Sequence, residues 1–361
     1  MKILITHASA GAGHRKAAEA LYVYLRENTP HHVTLADALD HASPLYKKFY
    51  AGSYSFLITH IPMIWGMVFA LIDIALFQPF IRFFRRLVNS VNLPKFHAYL
   101  IEQQFDYIFS THFLPNEVSA ALKRQGKIGS RIVSVITDFD VHRIWLADGI
   151  SVYAVACSYT KEKLKFLGVL ERNVLVSGIP SDKKFSRVHD VQALKKKFGL
   201  NRDEFTVLIA TGSFGIGPIE AIVHALKDFQ LIVICGHNKK LYERLKSSAG
   251  EKVFVNGLVD NMDEMMAVAD CMVTKPGGLS ITEALVSQLP MVFFNAIPGQ
   301  EAHNIRVLKK YGIGVGPCSV PEIVKALNEL RASKDSHRTA INKLKELAKA
   351  QAVKDIASLI V

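Results

Sequence analysis

Five turns in this chain bring together residues that can do chemistry, and the first is His7-Ala-Ser-Ala-Gly-Ala-Gly-His14-Arg15. Gly11 and Gly13 there stand between an apolar run and a helical pattern. Glycine at such a turn lets a ligand approach the backbone and the free N–H groups of the helix N-terminus. His14 falls in the first helical turn, where the positive helix end disfavours imidazolium and leaves a neutral ring able to accept a proton. It reads as a general base, with a plain helix-capping histidine as the bland alternative. A dinucleotide site would need a third glycine near Lys16 and an acid ending the second strand. Asp37 offers the acid, but Lys16 speaks against a nicotinamide enzyme.

The second half repeats the theme with different residues. Thr211-Gly212-Ser213-Phe-Gly-Ile-Gly217 joins an apolar strand to Pro218, a good first residue for a helix, and has the size of a phosphate loop or of an ordinary tight turn. Thr274-Lys275-Pro-Gly277-Gly278-Leu-Ser280-Ile-Thr-Glu283 runs from a strand through a double glycine into a helix expected to start near Ser280, whose free N–H groups would face a diphosphate. Ser280 and Glu283 also spell a capping box, which leaves Lys275 and the glycines without a role. In Asn295-Ala-Ile-Pro-Gly-Gln300-Glu301-Ala-His303-Asn304, polar side chains crowd a strand end in the manner that suits sugar hydroxyls, or simply cap a helix. Asp138-Phe-Asp140 has the D-x-D spacing of a metal site; at this strand end it reads instead as a polar cluster.

These turns need a scaffold that presents strand ends side by side. Apolar runs at 2–8, 32–39, 106–111, 131–137, 151–158 and 173–177 alternate with helical patterns such as 14–27 and 116–124, the signature of βαβ units and an α/β fold. After a Gly-Pro-Ser-Asp stretch at 178–187 the pattern restarts, with strands at 206–211, 231–235, 253–256, 271–274 and 291–294. Two Rossmann-like domains follow, 1–178 and 179–361, with a helical tail at 333–361 free to pack on either. At 361 residues the length fits two domains. The net charge of +12 favours anionic partners. Cys157, Cys235, Cys271 and Cys318 show no metal-ligand spacing, and three lie in strand-like runs, as reduced core thiols do. The opening residues lack the pattern of a secretory signal.

Residues 53–84 break the alternation by being far more apolar than a crossover requires. Lys47, Lys48, Arg82, Arg85, Arg86 and Lys95 surround them, against the single acid Asp73. Pro62, Asp73, Gln78 and Pro79 interrupt any span of roughly 20 apolar residues. With Trp65 and many phenylalanines, region 46–95 suits a helix lying in a lipid interface, its cations among anionic head groups. A buried insertion, a dimer contact or a spanning helix are the alternatives.

Taken together, Gly11-Ala-Gly-His14, Thr137-Asp-Phe-Asp-Val-His142 with Trp145, Thr274-Lys-Pro-Gly-Gly278 through Glu283, and Pro298-Gly-Gln-Glu301 with Asn304 resemble the two-domain GT-B glycosyltransferases. Within them the chain is similar to the monogalactosyldiacylglycerol synthase and processive diacylglycerol glucosyltransferase family, over nearly its whole length. The resemblance implies an N-terminal acceptor domain and a C-terminal UDP-hexose domain with chemistry in the cleft between them. It implies His14 as the base and Gly13 beside the donor. Gly212, Ser213, Gly277, Gly278 and Ser280 would face the diphosphate with Lys275, Leu258 and Val259 would hold uracil, Glu283 the ribose diol, and Gln300, Glu301 and Asn304 the hexose. Trp65, Arg82, Arg85, Arg86, Asp138 and His142 fall to the acceptor and membrane side. Partners would be UDP-hexose, diacylglycerol and anionic lipid, with no nucleic acid, no cofactor and no metal, at the cytoplasmic face of the cell membrane. Transfer of N-acetylglucosamine to a polyprenyl-linked acceptor, or nucleotide-sugar binding without turnover, are the other readings. His303 departs from the family's sugar motif.

Overall fold

Short β-branched runs between amphipathic helices can bury both sheet faces only when the strands lie parallel and the helices cover them, and this chain adopts that solution twice. The computed structural model describes residues 1–9, 11–212, 215, 217–294 and 296–360, with their side chains except at 51, 54, 55, 58 and 59. The chain forms two compact units, Met1–Asp182 with Ile297–Gln300 and Ala350–Val361, and Lys183–Ala296 with Glu301–Lys349. The division falls at Asp182 rather than at 178, within the stretch whose composition marks a hinge.

In the first unit β1 (Lys2–His7), β2 (His32–Asp37), β3 (Tyr107–Ser110), β4 (Arg131–Val135), β5 (Val152–Val155) and β6 (Val174–Val176) form one parallel sheet in the order β2-β1-β3-β4-β5-β6. The alternation of β1 is explicit. Leu4 packs on one face with Phe96, Ile108 and Ile132, whereas Ile3 and Ile5 pack on the other with Leu21, Phe109 and Ile356. Ile356 belongs to the terminal helix Ala352–Ala357, which lies against α1 (Ala12–Asn28). A single crossover helix would suffice between β2 and β3. Four occupy that place: α2 (Pro44–His60), α3 (Pro62–Ile72), α4 (Gln78–Asn92) and α5 (Pro94–Gln103), followed after β3 by α6 (Phe113–Arg124).

The second unit carries β7 (Thr206–Ala210), β8 (Gln230–Ile234), β9 (Val253–Asn256), β10 (Cys271–Thr274), β11 (Met291–Phe294) and β12 (Val315–Cys318), ordered β12-β11-β10-β7-β8-β9. Strand β12 is absent from the sequence reading because Gly316 and Pro317 erase its apolar alternation, and an edge strand tolerates both residues. Each sheet changes direction once. The chain leaves β1 for β2 on one side and returns to β3 on the other, and it does the same between β7 and β10. Ligands of open parallel sheets bind outside the carboxyl ends of the strands at such switch points. The loops after β1 and β3 in one unit, and after β7 and β10 in the other, therefore define where chemistry belongs.

Candidate active site

At the first switch point the β1–α1 turn ends on His14. Gly11 is the helix N-cap and no side chain caps the helix, so His14 is not a capping residue. Its Nδ1 lies 2.8 Å from the Thr111 carbonyl oxygen and 2.8 Å from Thr137 Oγ1. A carbonyl can only accept, so Nδ1 carries the hydrogen and the lone pair is on Nε2. Thr111 closes the clasp by donating its hydroxyl to the His14 carbonyl at 2.8 Å. Burial pushes the His14 pKa down to about 4 and the nearby His7 adds to this, while the Thr111 carbonyl pulls the other way. The ring is therefore neutral at pH 7, chiefly through desolvation rather than through the helix end the sequence suggests. Asp37 is spent elsewhere: it accepts from the Ser9 hydroxyl and N–H and from the Leu39 N–H, fixing the same turn.

The loop after β4 carries Thr137-Asp-Phe-Asp-Val-His142, and the structure gives its polar residues protein partners. Asp140, buried, pairs with Lys163 Nζ at 2.7 Å and accepts from the Val141 N–H at 2.8 Å. Asp138 accepts from Gln300 Nε2 at 2.8 Å, so two residues expected on acceptor and hexose hold each other within the first unit. His142 is buried with both nitrogens used. Nε2–H donates to the Phe69 carbonyl at 2.8 Å and Nδ1 accepts from the Ile144 N–H at 3.0 Å. Asp73, the lone acid of the apolar segment, accepts from the Arg143 N–H at 2.8 Å. His142 and Asp73 thus pin the end of α3 to this loop, and both His142 nitrogens are bonded within the protein.

At the second switch point Gly212 follows β7 with φ +75°, a left-handed conformation that favours glycine. Ser213 lies outside the described residues. After β10 the helix Gly278–Val286 starts at Gly278, with Gly277 as N-cap and no capping side chain. The helix starts two residues earlier than Ser280, which excludes the capping box and places Ser280 and Glu283, both half-buried, on successive turns. A side chain at Gly277 would meet nothing within 4 Å, so the turn leaves room for a ligand, while the Gly277 N–H itself donates to the Lys275 carbonyl at 2.9 Å. Burial lowers the pKa of Lys275, and Glu301 opposes the shift. Asn304 is fully buried and its Nδ2 donates to the Pro276 carbonyl at 3.1 Å, so it braces the glycine loop instead of presenting an amide to a sugar. Leu258, exposed, and Val259 follow the edge strand β9.

Comparison with known proteins accords with this layout. Residues 14–180 match the family model for monogalactosyldiacylglycerol synthase, and residues 206–359 match the C-terminal domain of glycosyltransferase family 28. A processive diacylglycerol β-glucosyltransferase of Bacillus subtilis is 29% identical over 365 residues, covering 96% of this chain and 91% of the relative. The chain carries a monogalactosyldiacylglycerol synthase domain followed by a glycosyltransferase family 28 C-terminal domain. Its fold is GT-B, shared with MurG of Acinetobacter baumannii (TM-score 0.59, 13% identity, 99% of each chain). Anabaena HepE, solved in complex with UDP, shares it too (TM-score 0.60, 13% identity, 100% and 99% of the chains).

In this glycosyltransferase the apolar insertion is folded inside out. Helix α4 buries Gln78 and Asn89 while Phe80, Phe83, Leu87 and Val91 are at least half exposed. Arg85, expected among lipid head groups, points inward. It pairs with buried Glu117 at 2.6 Å and donates to the Ile144 carbonyl, and Asn89 donates to the same carboxylate. Burial lowers the Arg85 pKa and raises that of Glu117, their mutual attraction opposing both. Arg82 and Arg86 lie nearer the surface, 3.7 and 3.9 Å from Asp148. Trp65 is half-buried against Phe69. Among the described residues no single helix is long and apolar enough to cross a membrane; Pro62–Ile72 with Ala75–Asn92 passes that test only as a pair bent by 74°.

Sequence reasoning missed Thr111 and His112. Both directly follow β3 and carry no motif. Their one signal is a place at the carboxyl end of a strand, which gains meaning only when β3 is known to lie beside β1.

Proposed function

We propose that the chain transfers a hexose from UDP-hexose to the hydroxyl of 1,2-diacylglycerol, inverting the anomeric carbon, on the cytoplasmic face of a membrane and without a metal ion. The observation that carries this reading is the tautomer of His14. With Nδ1–H held by the Thr111 carbonyl, Nε2 is the free acceptor, and a neutral imidazole takes a hydroxyl proton as the bond from the sugar to UDP lengthens. The uncapped start of the Gly278–Val286 helix, with Lys275, suits the negative charge that develops on the leaving diphosphate. Glu283 takes the ribose diol, and the glucosyl transfer named for the Bacillus subtilis relative supports a hexose donor. The outward phenylalanines of α4 suit lipid, because water would favour the opposite face. The four free cysteines suit a reducing compartment.

Incubating the protein with diacylglycerol vesicles and UDP-glucose, UDP-galactose or UDP-N-acetylglucosamine, followed by mass spectrometry of the lipid, should give a hexosyl-diacylglycerol. Absence of any glycolipid with all three donors overturns the reading, and product from the third alone moves it to the N-acetylhexosamine class.

A further inference from the structure

His112 lies one residue beyond the carbonyl that fixes His14. Its side chain is buried, and Nδ1 accepts from the Leu114 N–H at 3.1 Å, capping α6. An acceptor at Nδ1 puts the hydrogen of the neutral ring on Nε2. The ring stands edge-to-face against His14, with centroids 4.6 Å apart and planes at 79°. Phe113 lies 4.1 Å and Tyr50 6.3 Å from the His112 ring, and Trp145 is 6.2 Å from both His14 and Phe113. A helix cap does not call for imidazole, since Asn, Asp and Ser do that work best. What imidazole adds to a cap is a rigid planar wall on one side of the base.

We propose that His112 is the positioning residue of the His14 base: its ring sets the plane in which the Nε2 lone pair lies and keeps water from that side, while its neutral form brings no charge. The proposal rests on reading His14 as the proton acceptor. Groups facing the pair from the packed elements are His7 at the end of β1, Tyr50 of α2 and Arg85 of α4, the last already paired with Glu117. Burial drives His112 well below the ordinary imidazole value, with His14, His7 and Arg85 acting in the same direction, so the wall stays neutral whenever the base does.

Two variants separate the ring from the cap. Asn supplies a side-chain oxygen to the Leu114 N–H without a ring, whereas Phe supplies a ring without the acceptor. Histidine-labelled protein, titrated by NMR without substrate, should show the His14 midpoint of His112→Asn rising from about 4 toward the ordinary 6.5, with an unchanged melting temperature. His112→Phe should melt lower while its His14 midpoint stays depressed. In turnover His112→Asn should lose about 10–100-fold in kcat with UDP affinity intact, the scale of a slightly misplaced catalytic group. A His14 titration in His112→Asn that matches the wild type overturns the proposal, and should the Phe variant not fold, that comparison alone decides. Because the titration needs no substrate, failure to find sugar transfer would remove the functional reading without touching this result.

Discussion

The two switch points have the same topology and opposite character. Beyond the ends of β1 and β3 two histidines are tied down: Nδ1 of His14 is held by Thr111 and Thr137, and Nδ1 of His112 by the Leu114 N–H. Beyond the ends of β7 and β10 side chains are sparse, with Gly212 in a left-handed conformation and open space beside the Gly277 Cα. A proton acceptor works only with one tautomer and one direction, so its surroundings must be over-determined. An anion site works from a helix start that no side chain caps, so its surroundings must be sparse. One architecture serves both needs because the strand ends are fixed while the turns beyond them are free to differ.

The contrast breaks most sharply at His14. His14→Ala should lower kcat by roughly 10²–10⁴ with UDP binding unchanged in calorimetry; equal turnover would return the histidine to a structural role. Its pH dependence has a definite sign. With His14 as the proposed base the neutral ring would be the working form, so kcat/KM should hold as pH falls through 6 and decline only as it nears the His14 pKa of about 4. A limb near 6.5 would mean that the ring is solvated in the free enzyme.

On the bare side the effects are smaller. Glu283→Ala should cost about 1–3 kcal/mol of UDP affinity, and Glu283→Gln less, since an amide still bonds a hydroxyl. With the capping box excluded, neither should lower the melting temperature as a lost cap would. Calorimetry beside a thermal melt distinguishes the two. Gly277→Ala should fold normally, having room and φ −75°, yet weaken UDP binding about tenfold by placing a methyl where the diphosphate approaches. Unchanged affinity there would move the anion site away from this turn. Smallest of all, EDTA should leave turnover unaltered. Activity lost on chelation and restored by Mg²⁺ would bring Asp138 and Asp140 back as ligands, against their present bonds to Gln300 and to Lys163 and the Val141 N–H.

The sequence by itself determined the parallel α/β units, the glycine turns and the histidine that opens α1, because strand periodicity, helix starts and turn chemistry are local and act over a few residues. It also marked 46–95 as exceptional by composition. Only the tertiary structure decided which polar residues are spent on the protein itself. His142, Asn304 and Arg85 share residue type and neighbourhood with the candidate site residues, but their partners Phe69, Pro276 and Glu117 are distant in the chain, and burial obliges them to pair. The direction of α4 was decided in the same way. Its pattern shows two faces, and partners such as Glu117 on α6 and the Ile144 carbonyl hold the polar one inward and leave the phenylalanines outside. Strand order, too, is non-local: that β3 lies beside β1, bringing Thr111 and His112 to His14, follows from sheet packing across roughly a hundred residues and leaves no mark in the local sequence.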